Sequence, residues 1–248
     1  MSYKDTPLFK GAKKQVRQVS RRVVGWHEAF SHENARRLQA ALEGADYAEK
    51  HMKGALASSC KEEVLLHSLA HAPKEGLVLE FGVWSGATIN VIADNVGRSR
   101  AVHGFDSFEG LPEDWFGMYR KGTFHTGGKL PHVRSNVTLH KGWFQDTLPT
   151  FARNHNEKIA FLHVDCDLYS STKTIFDVLG DRLGPGAVIL FDEYFNYPGW
   201  REHEYKAFQE FVASRSLKYR YLVYNTQELN ASVQILSPGL STPLSDVA

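Results

Sequence analysis

Cysteine is scarce: Cys60 and Cys166 are the only two in 248 residues. Two thiols so far apart in the chain supply neither a disulfide framework nor a four-cysteine zinc site, so a reducing cytoplasm is the expected setting. Long apolar runs are missing too. The longest, Ala187 to Phe191, falls far short of the roughly 18 residues that a membrane span requires, and Met1 to Thr6 has no apolar signal core. Charge of one sign is also lacking: 29 Lys and Arg against 28 Asp and Glu leave a formal net charge of +1. A chain so balanced does not carry the electrostatic footprint of a nucleic-acid binder.

What remains is 42% apolar and 12% aromatic, enough to bury a sizeable core, in a length that fits one α/β domain with an extension. Phe9, Ala12, Val16, Val19, Val23 and Trp26 step by three and four beside a stripe of Lys and Arg, which predicts an amphipathic basic helix. Its apolar face can pack on the domain or on a sister subunit, which makes a homo-oligomer the expectation; an anionic substrate or membrane surface is the competing use. Residues 32 to 71 are rich in helix formers. Residues 1–74 therefore read as an N-terminal helical extension or lid, and 75–248 as the main domain.

Leu77 to Phe81 reads as a buried strand. Further strands are predicted at Ala101–Phe105, Val137–His140, Ile159–Val164, Ala187–Phe191, Tyr219–Tyr224 and Ala231–Leu236, with helical stretches between most of them. Such alternation implies a Rossmann-like, doubly wound, mostly parallel seven-stranded sheet covered on both faces. The last two strands, joined by the short polar link Asn225–Asn230, are expected to form an antiparallel hairpin at the sheet edge.

In an open parallel sheet, ligands bind beyond the carboxyl ends of the strands. Four predicted strands end in acid: Glu80, Asp106, Asp165 with Asp167, and Asp192 with Glu193. The first leads into Glu80-Phe81-Gly82-Val83-Trp84-Ser85-Gly86-Ala87-Thr88, where two glycines permit a tight turn into a helix. Asp106 then ends the next strand, where a carboxylate accepts ribose hydroxyls. Together they indicate an adenosine-bearing cofactor. A dinucleotide would need a small residue where Trp84 stands, so a phosphate-free cofactor such as S-adenosylmethionine fits better than a nicotinamide dinucleotide. Asp165, Asp192 and Glu193 offer oxygen ligands without thiolates, as Mg²⁺ or a similar ion prefers; contact with substrate alone is the metal-free alternative. His163 reads as a structural, hydrogen-bonded histidine, and Cys166 as steric lining of the cofactor pocket.

With these residues assembled, the chain resembles the class I S-adenosylmethionine-dependent methyltransferases, specifically the macrocin O-methyltransferase-like family of magnesium-dependent sugar methyltransferases. The resemblance spans roughly residues 75 to 236. It rests on Leu79-Glu80-Phe81-Gly82-Val83-Trp84-Ser85-Gly86, on Phe105-Asp106-Ser107-Phe108-Glu109-Gly110-Leu111-Pro112, and on His163-Val164-Asp165-Cys166-Asp167-Leu168-Tyr169. It implies that Gly82, Trp84 and Thr88 line the methionine end of the cofactor and that Asp106 with Ser107 holds the ribose. It further implies that Asp165, Asp192 and Glu193 bind the metal and that Asp167 is the general base. Gly142 to Asp146 resembles an adenine-contacting turn, which nominates Phe144 and Gln145; Glu80, Gly86 and Asp165 complete the expected cofactor wall. Relatives commonly carry Asp-Asp or Asp-Asn where this chain has Asp192-Glu193. The implied acceptor is a hydroxylated small molecule such as a sugar, under a lid formed by Gly122–His132 or by the N-terminal helices. A metal-independent methyltransferase, a nicotinamide oxidoreductase and a noncatalytic adenosine-binding protein share this architecture.

Overall fold

The computed structural model describes residues 31–237. The predicted basic helix from Phe9 to Trp26, and with it the expected subunit contact, lies outside the described residues. Eight strands form one sheet: β1 (Leu56–Ser58), β2 (Leu77–Phe81), β3 (Val102–Asp106), β4 (Val137–Lys141), β5 (Ile159–Val164), β6 (Val188–Phe191), β7 (Tyr219–Asn225) and β8 (Ala231–Ile235). Their order is β1-β7-β8-β6-β5-β2-β3-β4, and only β8 runs against its neighbours.

All seven expected strands are present. The eighth, β1, is the difference: its three residues pair in parallel with β7, Ser58 opposite Asn225. The β7–β8 hairpin is therefore one strand in from the edge rather than at it. Three residues are too few to show an alternating pattern, which is why periodicity passes over them.

Among the described residues six α-helices cover the sheet: α1 (His32–His51), α2 (Lys61–His71), α3 (Ala87–Val96), α4 (Phe144–Asn154), α5 (Tyr169–Leu179) and α6 (Glu204–Ser214). The central strands β2, β5 and β6 are buried along their whole length, as parallel strands clothed on both faces must be. One core gathers Tyr47 of α1 with Leu148, Phe151, Ile175, Phe176, Phe208 and Phe211. The opposite core holds Val64, Leu65 and Leu69 of α2 against Ile89 and Ile92 of α3. The segment before residue 75 thus adds a strand and a covering helix to the same sheet. Ser31 caps α1, its hydroxyl accepting from the Asn34 N–H at 3.0 Å, and Tyr47 anchors the helix through a 2.7 Å hydrogen bond between its hydroxyl and that of Tyr221. No described helix is long and apolar enough to cross a membrane.

Register decides where chemistry can occur. Phe105, Phe81, Val164 and Phe191 stand side by side on β3, β2, β5 and β6, so the residues that follow them emerge along one edge. The ladder continues one step further: Gly82 N–H donates to the Phe105 carbonyl at 2.9 Å, Asp165 N–H to that of Phe81 at 2.8 Å, and Asp192 N–H to that of Val164 at 2.8 Å. The chain moves outward to β3 after β2 but returns to the other side for β5, which makes β2/β5 the switch point at which such sheets bind ligands.

Gly82 is indispensable to this closeness. Its φ is +92°, and a Cβ there would overlap the Asp165 carbonyl oxygen. Gly82→Ala is expected to destabilise the protein by about 3 kcal/mol or more, combining positive-φ strain with a backbone clash; chemical denaturation measures it, and a cost under about 1 kcal/mol contradicts this packing.

A second feature lies below the β3–β4 edge. His103 Nδ1 stands 3.1 Å from His140 Nε2, His140 stacks on Phe105 at 4.5 Å, and His155 stacks on Phe151 at 4.0 Å. Burial, then the neighbouring His140 and His155, push His103 down to about 4; burial and His155 lower His140 as well. At His103 and His140 the folded state therefore binds fewer protons than the unfolded chain, whose histidines titrate near 6.5. This contribution to stability is full above about 6.5 and is lost as pH falls from there toward about 4. Urea unfolding across that window should show the loss, and His103→Phe should make it shallower.

Candidate active site

The switch-point edge opens into a cavity of about 830 Å³. Of the residues expected at the cofactor, Gly82, Trp84 and Thr88 from the first turn, Asp106 and Ser107 from the end of β3, Phe144 and Gln145 from the start of α4, and Asp165 all line it. Phe144 meets Phe81 edge-on at 5.1 Å. Cys166 is buried in the wall, and its Sγ faces the Thr172 hydroxyl at 3.5 Å.

Two expected cofactor residues are not in that wall. Glu80 is fully buried because its side chain turns to His163, with Oε1 2.9 Å from the imidazole Nδ1. An acid enclosed between β2 and β5 needs a partner there more than a ligand. Gly86 takes a left-handed φ of 80° at the start of α3, and it faces Pro131 of the segment above.

Asp106 shapes the cavity as well as facing it. Its Oδ2 accepts from the N–H groups of Val83 (2.9 Å) and Trp84 (2.7 Å), and its Oδ1 accepts from Phe108 N–H at 2.6 Å. One carboxylate thus ties the β2 turn to the β3 turn. A carboxylate has about four lone-pair sites, so one oxygen pair can hold both turns and still accept from a ligand hydroxyl. The turn it supports is taut: Trp84 has φ 44° and leaves its ring 53% exposed at the cavity mouth, edge-on to Phe124 at 5.9 Å.

The acidic floor lies in the same cavity as Gly82, Trp84 and Thr88. Asp165, Asp167, Asp192 and Glu193 all line the cavity while Asp167, Asp192 and Glu193 are largely buried. Two sets of ligand atoms lie within 4.8 Å of one another: His163, Asp165 and Asp192, and separately Asp165, Asp167 and Glu193. The expected trio Asp165, Asp192 and Glu193 is thus divided, with Asp165 common to both sets. Asp192 is already engaged. Its Oδ1 accepts from Asn230 Nδ2 at 2.7 Å and lies 3.7 Å from His163 Nε2, and its Oδ2 takes Lys61 Nζ at 2.6 Å. Glu193 differs, since its buried Oε2 has no hydrogen-bond partner, while its backbone N–H donates to Glu204 Oε2 at 3.1 Å.

The charges follow from these contacts. Burial, then the Asp192 charge, pushes the Asp165 carboxyl well above its ordinary value; burial and the same neighbour raise Glu193. Burial alone would raise Asp192, but His163 and Lys61 outweigh it and hold Asp192 well below the usual carboxylate range. For His163 burial favours the neutral ring, and Asp192 and Glu80 overcome it, pushing the imidazole up to about 10. Asp167 is raised to about 7, by burial first and by Asp192 second, with Lys61 acting the other way. Its backbone sits at φ 64°, a conformation aspartate tolerates better than most residues and one that recurs at functional sites.

Sequence reasoning missed Lys61, Asn230 and Glu204 and set His163 apart. Lys61 and Asn230 belong to no motif and reach the site through β1 and β8. Glu204 is a fully buried acid in the first turn of α6, where acids are ordinarily helix-start signals. The expected lid is a folded flap: Gly122 N–H donates to the Leu111 carbonyl and Leu111 N–H to that of Thr123, both at 2.9 Å.

Residues 79–194 match the family described as "Methyltransferase domain". The chain is similar to the 8-demethyl-8-(2,3-dimethoxy-alpha-L-rhamnosyl)-tetracenomycin-C 4'-O-methyltransferase of Streptomyces olivaceus, 31% identical over 54% of this chain and 57% of that one. It is 29% identical to the demethyldecarbamoylnovobiocin O-methyltransferase of Streptomyces niveus, over 60% and 63%, and 30% identical to the mycinamicin III 3''-O-methyltransferase of Micromonospora griseorubida, over 57% and 66%. The matched region thus spans less than two thirds of each relative. Two solved structures share the fold: the O-methyltransferase NovP, with a TM-score of 0.53 at 23% identity over 71% of this chain and 80% of that one, and the calicheamicin methyltransferase CalS11, with 0.56 at 19% over 93% of each. Residues 79–194 accordingly match a methyltransferase domain, on the Rossmann-like fold that these two structures share.

Proposed function

We propose that this chain transfers a methyl group from S-adenosylmethionine to a hydroxyl of a sugar or glycosylated small molecule, with a magnesium-type cation in the acidic floor. The observation that carries this reading is the junction, in one cavity, of an adenosine-type wall from Gly82 to Gln145 with four carboxylates from β5 and β6. The relatives' names support the acceptor class, since the first acts by name on a rhamnosyl-bearing tetracenomycin.

The donor set fits a hard divalent cation: oxygen ligands, no thiolate turned toward them, and one buried carboxylate oxygen of Glu193 without a partner. Asp165, Asp192 and Glu193 would hold it, and such an ion acidifies a hydroxyl bound to it. Asp167 accepts the hydroxyl proton while the new O–CH3 bond forms and the S–CH3 bond breaks, leaving neutral S-adenosylhomocysteine. Asp106 and Ser107 orient the ribose, and Phe144 and Gln145 face the adenine. The flap that carries Tyr119, Lys121 and Phe124 into the cavity excludes water and narrows the approach of the two reactants.

Asp106→Ala should weaken S-adenosylmethionine binding about tenfold to a hundredfold, from lost hydrogen bonds to a charged group. It should also cost about 1 to 3 kcal/mol of stability, because backbone N–H groups lose their acceptor. Calorimetry and denaturation read the two separately, and unchanged affinity overturns the cofactor assignment.

The Asp167 role has a pH signature. A carboxyl that titrates near 7 serves as a base only above that value, so turnover should fall as the solution is acidified through it; a bound cation favours the carboxylate and moves this limb to lower pH. Asp167→Asn should retain cofactor and metal and lose about 10² to 10⁴ in turnover. Full methyl transfer by that variant, or a profile without the acid limb, removes Asp167 from the mechanism. Asp165→Asn should lose activity with partial rescue at high Mg²⁺, and full transfer in EDTA refutes the metal.

A further inference from the structure

The cation already present in the acidic site comes from outside the matched segment. Lys61 is the first residue of α2, reached through the three-residue strand β1, and it lines the same cavity as the four carboxylates. Its Nζ is 2.6 Å from Asp192 Oδ2, with the Lys61 side chain 47% exposed and that of Asp192 only 9%. The other Asp192 oxygen is closed by Asn230 and faces His163. Oδ2 is therefore the oxygen through which Asp192 can meet a metal ion, and the ammonium stands on it. Glu193 Oε2, buried and unpartnered, marks the remainder of the site as built to receive a cation that Lys61 does not supply.

We infer that Lys61 is a displaceable counter-cation, which holds Asp192 while the site is without metal and gives up that carboxylate oxygen when a divalent ion arrives. The inference rests on the metal part of the proposed function. Two like charges on one oxygen repel, strongly so where burial lowers the dielectric. The lysine is the partner able to yield: its stem is flexible and half in solvent, and its ammonium is readily hydrated. His163 and Asn230 are fixed inside the sheet and cannot. The pair thus keeps a buried carboxylate ionised and aimed into the cavity before metal binds, at the cost of competing with the ion for it.

The test uses the full chain with MnCl2 as probe, in the wild type and in Lys61→Met, Lys61→Gln and Lys61→Arg. Titration calorimetry without S-adenosylmethionine should show Mn²⁺ binding about tenfold tighter, equivalent to about 1.4 kcal/mol, in Lys61→Met and Lys61→Gln, with Lys61→Arg near the wild type. Thermal unfolding in EDTA should place Lys61→Met below the wild type, and Mn²⁺ should erase or reverse the difference. Equal or weaker Mn²⁺ affinity in both neutral variants overturns the inference and identifies Lys61 as a support of the metal site or a bystander. Mn²⁺ binding in none of the four proteins overturns it together with the metal part of the proposed function, whereas S-adenosylmethionine binding, measured on the same samples, reports separately on the methyltransferase reading.

Discussion

Mutual repulsion among buried carboxylates is the constraint on which the active site is arranged. Asp165, Asp167, Asp192 and Glu193 are brought together because β5 and β6 end level with one another, and nothing about their own chemistry favours that crowding. Each raises the proton affinity of its neighbours, as the upward shifts of Asp165, Asp167 and Glu193 show. The compensation is unequal. Asp192 receives an imidazolium, an ammonium and a side-chain amide, and is left fully ionised. The other three receive little; together with the Asp192 oxygen that Lys61 can yield, they are the groups that a cation and a proton in transit would engage. The cationic state of His163 depends in turn on Glu80, so an acid that never reaches the cavity sets the charge of one that does.

The sequence made the fold legible where the physics is local and repetitive. Apolar runs marked β2, β5 and β6, and helical stretches were expected between most of the strands. It also marked the site's front rank, because a strand end in a parallel sheet is a functional position whatever follows it. The parts that were not legible depend on side-chain direction and on distant register. Glu80 and Asp106 both sit at acidic strand ends, yet one turns inward to an imidazole and the other outward to the cavity. Lys61 is invisible for another reason: it reaches the acids only because a three-residue strand pairs with β7 and sets the start of α2 over the end of β6. Neither fact has a pattern in one dimension.

The same distinction separates the two walls of the cavity. The side that the proposed function gives to the cofactor is backbone-defined: Gly82 at φ +92° against the Asp165 carbonyl, and the Asp106 carboxylate tying two turns through their N–H groups. Such a wall is rigid and insensitive to most side chains, which suits a ligand that does not vary. Under the proposed function the acceptor side would be the flap, where Trp115, Tyr119 and Phe124 are joined by ring contacts at 5.1 and 5.7 Å. Aromatic surfaces of this kind grip by area and stacking more than by directional bonds, so specificity there can change by substitution in a loop without disturbing the sheet.

Glu193 shows how a single methylene is accommodated by that arrangement. The resemblance leads one to expect aspartate or asparagine beside Asp192, whose shorter arm would keep its oxygen near the strand end. The longer glutamate reaches toward Asp165 and Asp167, with which its oxygen forms a set within 4.8 Å, and this set excludes Asp192. An extended arm needs its root fixed, and Glu204 supplies that by accepting the Glu193 backbone N–H. Glu204 is itself buried, with its second oxygen unpaired, and burial raises it well above its ordinary value. The glutamate is thus more than a longer copy of the aspartate: it joins Asp165 and Asp167 in one set of oxygens, and Asp192 meets that set through the Oδ2 that Lys61 holds.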